Sequence, residues 1–271
     1  MMAEQNIGKR RRLLVAMDCN AESLAGLRRA ATLASGMQVE LAGLFLEDVN
    51  LLRMSELPGH EISLATGSGM ATSRADMERQ MRRRASAARA EVERLAQAFS
   101  LSWTFEVRRA GLEHALREAA QTEELVCSAP APPLFSHSKA PSPRVLGGEL
   151  VRRPGPVLAV YEGGPGGARV LELAARAAQI HKLDLQVLVP ARGSAGGTRA
   201  LGKAKEALAT SDMDATMRRL PLSERALLQT LATARGQLLF LDANGKAASV
   251  ERLAAVREAV NCDVFLVSSQ S

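Results

Sequence analysis

Leu14–Asp18 and Leu158–Glu162 are two versions of one short apolar run that ends on an acid, and they stand 144 positions apart. The spacing then holds without a gap: Leu27 falls on Leu171, Ala30 on Ala174, Ala31 on Ala175, Ala34 on Ala178, Leu41 on Leu185 and Leu44 on Leu188. These positions read as a strand buried on both faces, a helix with apolar residues at helical spacing, and a second buried strand. Strand, crossover helix and parallel strand form a βαβ unit, whose crossover is right-handed. An ungapped match confined to core-facing positions points to an internal duplication. At roughly 150 residues per domain, a chain of 271 residues has room for two such units. The expected domains are 1–153 and the shorter 154–271.

The remaining elements fit this frame. Asn20 or Ser23 can cap the first helix and Gly36 can close it. Residues 49–73 lack a steady period and contain Pro58, Gly59, Gly67 and Gly69, so a long loop is expected there. A long Arg- and Ala-rich helix over 75–99, a strand at Trp103–Val107, a short helix over 112–120 and a strand at Leu125–Cys127 follow. The five prolines from Ser128 to Pro143 exclude a helix or a central strand there, and a short helix over 146–151 is read before the strand at 156–161. The repeat continues with Arg218–Arg219 before a helix at 223–234, a strand at Leu238–Leu241 and a last strand at Asp263–Val267.

Composition narrows the function classes. No stretch approaches the ~18 apolar residues of a membrane span, and the run after Lys9–Arg12 stops at Asp18, too short for a secretory signal. Cys19, Cys127 and Cys262 are scattered and contain no CxxC, and the four histidines show no i, i+4 pair, so neither a disulfide framework nor a zinc or His-based metal site is expected. A cytoplasmic protein is the expectation. The net charge of +6 could suggest nucleic acid, but aromatics make up only 3% and many arginines lie beside glutamates in helical patterns, as in Glu91–Arg94. A solvated helix face explains that charge, and a nucleic-acid partner is not expected.

Strand ending on Asp18, helix with Ala30–Ala31, strand ending Leu44–Leu46, and Gly155–Pro156–Val157–Leu158–Ala159–Val160 together resemble the universal stress protein family, with the second half looking like another copy. The resemblance implies two tandem open parallel-sheet α/β sandwich domains of five strands each. It also implies ATP held at the carboxyl ends of the strands in members that bind it, which agrees with the rule for open sheets. Asp18 would then lie near adenine and ribose; it would otherwise cap the next helix.

The family's phosphate signature, Gly-x2-Gly-x9-Gly-Ser/Thr after the fourth strand, supplies backbone N–H groups and a hydroxyl. Neither half keeps it. The first has Ser128–Pro133 there, and its Gly147–Gly148 is followed by Glu149; the second has Asn244–Gly245–Lys246, with Ala255 where the distal glycine belongs. Gly163–Gly164–Pro165–Gly166–Gly167 does not spell GxGxxG and reads as a flexible turn. His114 and His181 lack partners at useful spacing, and Ser136–His137–Ser138 has no GxSxG elbow. The expected function is a non-catalytic stress-response regulatory or interaction protein with a degenerate ATP site and no cofactor. The alternative is a nucleotide binder, of ATP or AMP, or weak ATPase using Asp18, Gly245 and Lys246. An α/β enzyme of the electron-transfer-flavoprotein or PP-loop kind shares the sheet layout, but the SGGxDS-like turn of a PP-loop is absent after the first strand. Expected partners are an unknown protein and the chain itself. Only one strand, 156–161, stands where two complete copies need two, so the terminal Val264–Val267 should cover the open edge, either in a pseudo-dimer within the chain or in a homodimer.

Overall fold

In the computed structural model, which describes residues 11–18, 21–47, 49, 74–129, 155–209, 211 and 213–268, the apolar runs become the strands of one sheet. The first half runs β1 (Arg12–Met17), α1 (Ala21–Met37), β2 (Glu40–Glu47), α2 (Arg74–Ala98), β3 (Trp103–Arg109), α3 (Leu112–Thr122) and β4 (Leu125–Ser128). The second runs β5 (Val157–Val160), α4 (Gly164–His181), β6 (Leu185–Ala191), α5 (Gly193–Leu208), β7 (Ala215–Pro221), α6 (Glu224–Ala234), β8 (Leu238–Asp242), a 3-10 turn at Lys246–Ala248, α7 (Val250–Ala259) and β9 (Asp263–Val267).

Strand order is β3-β2-β1-β4-β9-β8-β5-β6-β7, and every neighbouring pair is parallel except β4 with β9. Register repeats at the spacing seen in the sequence: Leu13 lies opposite Leu41, and Val157 opposite Leu185. The β1–β4 pairing of Leu13 with Leu125 is matched by the β5–β8 pairing of Val157 with Leu238. Two runs of the same order, β3-β2-β1-β4 and β7-β6-β5-β8, therefore point in opposite directions and meet at β9. Strand β5 pairs with β6 and β8, which assigns the 156–161 run to the second half. Strand β9 fills the edge left open beside β4, where Cys127 lies opposite Phe265, so the expected two sheets are one.

Both faces of the sheet are covered, which is why the central strands are apolar throughout rather than alternating. One core joins α1, α2, α4 and α5 to the sheet through Leu27, Phe45, Met81, Leu171 and Phe240; the other joins α3, α6 and α7 through Leu116, Leu231, Leu253 and Val256. Phe240 of β8 stacks on Phe265 of β9 with ring centroids 4.7 Å apart. The outer strands β3 and β7 carry Arg108–Arg109 and Arg218–Arg219–Leu220–Pro221, charges and a proline that oppose edge-to-edge pairing.

Helix α2 buries Met77, Met81, Ala85, Ala88, Val92 and Leu95 at intervals of three or four. Its outer face pairs Arg74 with Glu78, Arg79 with Asp76 and Arg94 with Glu91, a solvated ion-pair ladder. No helix among the described residues is long and apolar enough to cross a membrane.

Several local expectations are corrected. Helix α1 runs through Gly36 to Met37 and is ended by Gln38 at φ 56°, while Ser23 lies inside it rather than capping it. Gly36 serves contact instead: a Cβ there would come within 2.6 Å of Ile180 Cδ1, so its absence lets α1 and α4 approach. Gly164–Gly167 form the first turn of α4 rather than a flexible turn. Pro165 suits that turn because its missing N–H would go unbonded there anyway. Helices α5 and α7 were not signalled, the first because four glycines dilute its apolar pattern, the second because its periodicity is weak. The loop expected over 49–73 lies outside the described residues apart from Val49, as do the Pro-rich segment beyond Ala129 and the helix at 146–151.

Candidate functional site

Ligands in open α/β sheets bind beyond the carboxyl ends of the strands, where the strand order reverses. Since the two halves run in opposite directions, this chain has two such places, at opposite ends of the sheet. Asp18 follows β1 at one end; Gly245 and Lys246 follow β8 at the other. Asp18 is thus not brought together with Gly245 and Lys246.

At the first end a buried arginine arrives from the second half. Arg257 of α7 is 4% exposed and donates to Ser128 Oγ (2.9 Å), Glu113 Oε1 (3.0 Å) and the Ala129 carbonyl (3.3 Å). Burial pushes its pKa down, and Glu113 and Asp18 push back. The guanidinium thus holds the carboxyl end of β4, where a phosphate loop of the first half would begin. On the other face Asp263, fully buried, accepts 2.6 Å from Arg29 Nε, while its second oxygen has no partner. Gly26 makes room for that carboxylate, since a Cβ there would stand 2.6 Å from Oδ1. Cys127 and Cys262 are free and buried nearby; burial raises both thiols, Cys262 to about 12.

The second end is a cavity of about 200 Å³ bounded by Glu162 after β5, Arg192 after β6, Ser223 at the start of α6, and Lys246, Ala247 and Arg252 after β8. Glu162 reaches into the loop that follows β8 and accepts the N–H of Ala247 at 3.2 Å. Gly245 permits this, because a Cβ there would overlap Glu162 Oε2. The Gly-rich entry to α4 is filled in the same manner. Gly163 and Gly164 have φ of 89° and 69°, and a Cβ on Gly166 would overlap the Asp242 carboxylate, which also accepts 3.0 Å from the N–H of Asn244. Both stretches whose small residues could cradle a phosphate therefore face a carboxylate of the chain itself. Arg252 is paired with Glu224 at 3.0 Å, whereas Arg192 and Lys246 make no ion pair among the described residues.

Glu162 was legible, for it stands 144 positions after Asp18. Asp242, Arg257 and Asp263 carried no such signal: their roles depend on neighbours distant in sequence. His181, near the C-terminus of α4, has a buried Nε2 with no partner, and burial lowers its pKa. His114 lies on α3 within 4.0 Å of Glu118.

No family model and no curated protein matches the sequence. Solved structures match the fold. The fold is similar to that of a universal stress protein from Archaeoglobus fulgidus DSM 4304, at a TM-score of 0.53 and 13% identity, covering 95% of this chain and 98% of that one. A protein designated a universal stress protein from Pseudomonas aeruginosa UCBPP-PA14 matches at 0.52 and 13% identity, over 96% and 93% of the two chains. The cytoplasmic domain of a prokaryotic cation chloride cotransporter matches at 0.50 and 11% identity over 97% of each. The chain has the universal stress protein fold over nearly its whole length.

Proposed function

We propose that this chain is a non-catalytic regulatory or interaction protein of the universal stress type, cytoplasmic, made of two diverged copies over 1–153 and 154–271, with no ATP bound in the family manner. The carrying observation is that Glu162 and Asp242 occupy the places where small residues would present backbone N–H groups to phosphates. A triphosphate entering there meets two fixed negative charges. Each charge-assisted phosphate hydrogen bond forgone is worth roughly 1.5–3 kcal/mol, so losing several removes decades of affinity. The repeated register of β1–β2 and β5–β6 supports the duplication. The likeness to a cotransporter's cytoplasmic domain shows that this fold also occurs as one part of a larger transport protein, a setting that suits an interaction role.

Nucleotide binding through an altered loop draws on Lys246 facing the cavity, but about 200 Å³ falls short of the ~300–1,000 Å³ usual for sites that enclose a cofactor-sized ligand. Titration of the purified chain with Mg-ATP should give no saturable heat, and protein denatured as isolated should release no nucleotide on ion-exchange chromatography. Micromolar affinity or a released nucleotide overturns the proposal.

A further inference from the structure

The cavity beyond β5, β6 and β8 is too small for a nucleotide yet is not electrically idle. Arg192 and Lys246 face it without ion-pair partners among the described residues, and Arg252 is neutralised by Glu224. The Ala247 N–H also points into the same place, where it is bonded to Glu162. Two unpaired cations and a backbone donor lining one small volume suit an anion. The backbone donor is taken by the Glu162 carboxylate, admitted by the bare Cα of Gly245, while the two cations are left without an anion among the described residues.

We infer that this cavity is a site for a small non-nucleotide anion, carboxylate or phosphate, which pairs with Arg192 and Lys246 and competes with the Glu162 carboxylate for the Ala247 N–H. This rests on the reading that ATP is not held there, and it makes Glu162 a tethered occupant that sets the threshold for ligand entry. With Glu162 in place, the two unpaired cations carry one excess positive charge; with it neutral, they carry two. A ligand must therefore outbid an intramolecular carboxylate, and removing that charge must tighten binding.

The test uses the full chain and two probes, sodium pyrophosphate and sodium succinate, followed by calorimetry at fixed low salt. Saturable binding of either is expected, and which probe binds tells phosphate from carboxylate. Glu162→Gln keeps an oxygen that can accept from Ala247 and should tighten binding about tenfold. The double variant R192A/K246A, changed at two exposed positions, should weaken it by at least about tenfold. Circular dichroism and melting temperature establish that both variants are folded. Failure of both probes to bind wild type and Glu162→Gln overturns the inference, as does binding that R192A/K246A leaves unchanged. A Mg-ATP titration of wild type is run alongside. Micromolar ATP affinity overturns the proposed function, whereas silence with ATP and both probes overturns only the small-anion site.

Discussion

Arg29 and Asp263, 234 positions apart in the chain, are joined by a 2.6 Å hydrogen bond from guanidinium Nε to carboxylate Oδ2. The bond ties the first helix to the last strand, and it serves a carboxylate that is fully buried and whose other oxygen has no partner among the described residues. The hydrogen bond to Asp263 raises the Arg29 pKa against the opposing effect of burial. Arg29→Ala leaves a buried carboxylate without a counter-charge, which costs about 3 kcal/mol. Urea unfolding should show the loss as a lower midpoint with an unchanged slope, and Arg29→Lys should fall between. A loss below about 1 kcal/mol would mean that water reaches Asp263.

His181 gives a pH dependence of definite sign. Burial, and then Arg29, lower its pKa from the ordinary 6.5, with Asp263 opposing. The unfolded chain therefore binds a proton that the folded chain refuses. That contribution to stability is fully present above about pH 6.5 and is lost as pH falls through the lowered folded value. Chemical unfolding between about pH 7.5 and 5.5 should show stability decreasing with acid in wild type, and less so in His181→Asn. Equal slopes in the two proteins would remove His181 as the cause.

These two relationships also show what was legible beforehand. The strands β1, β2, β5 and β6 and their connecting helices could be read because burial on both faces leaves an apolar run of strand length, followed by helical spacing and repeated 144 positions on. Gly36 was misassigned because a glycine that ends a helix and a glycine that admits Ile180 look alike in one dimension. Helix α5 was hidden by Gly193, Gly196, Gly197 and Gly202, residues that lower helix propensity without preventing a helix held by packing. Glu162 could be found through its counterpart Asp18, but its partner, the Ala247 N–H, is 85 residues away and of a kind every residue possesses. Arg257 and Asp263 stand in the sequence like any other charges; only the meeting of β4 with β9 buries them.

Thiol chemistry offers a third check. Cys127 and Cys262 are buried and their pKa values are raised by that burial, Cys262 to about 12. At about pH 8 almost no thiolate forms at either, and thiolate is the reacting species. In native protein treated with iodoacetamide, peptides containing Cys127 and Cys262 should remain unlabelled, and both should label fully in guanidinium. Rapid native labelling of Cys262 would show that α7 and β9 part from the sheet readily.

The last strand is the hinge of the architecture. Strand β9 lies between β4 and β8, so it completes the second half and closes the edge of the first. Removing residues 263–271 would expose two inner strands at once, Leu125–Ser128 and Leu238–Asp242, neither of which carries the arginines that guard β3 and β7. It would also strip Phe240 of its stacked partner and Arg29 of Asp263. Two unguarded apolar edges are a template for pairing with other chains. The truncated chain should therefore aggregate, whereas Phe265→Ala, which keeps the backbone pairing, should stay soluble and lose about 3–5 kcal/mol. Light scattering and circular dichroism decide the matter. A truncated chain that remains soluble, with native dichroism and the mass of a monomer, would show that β4 and β8 can meet without β9.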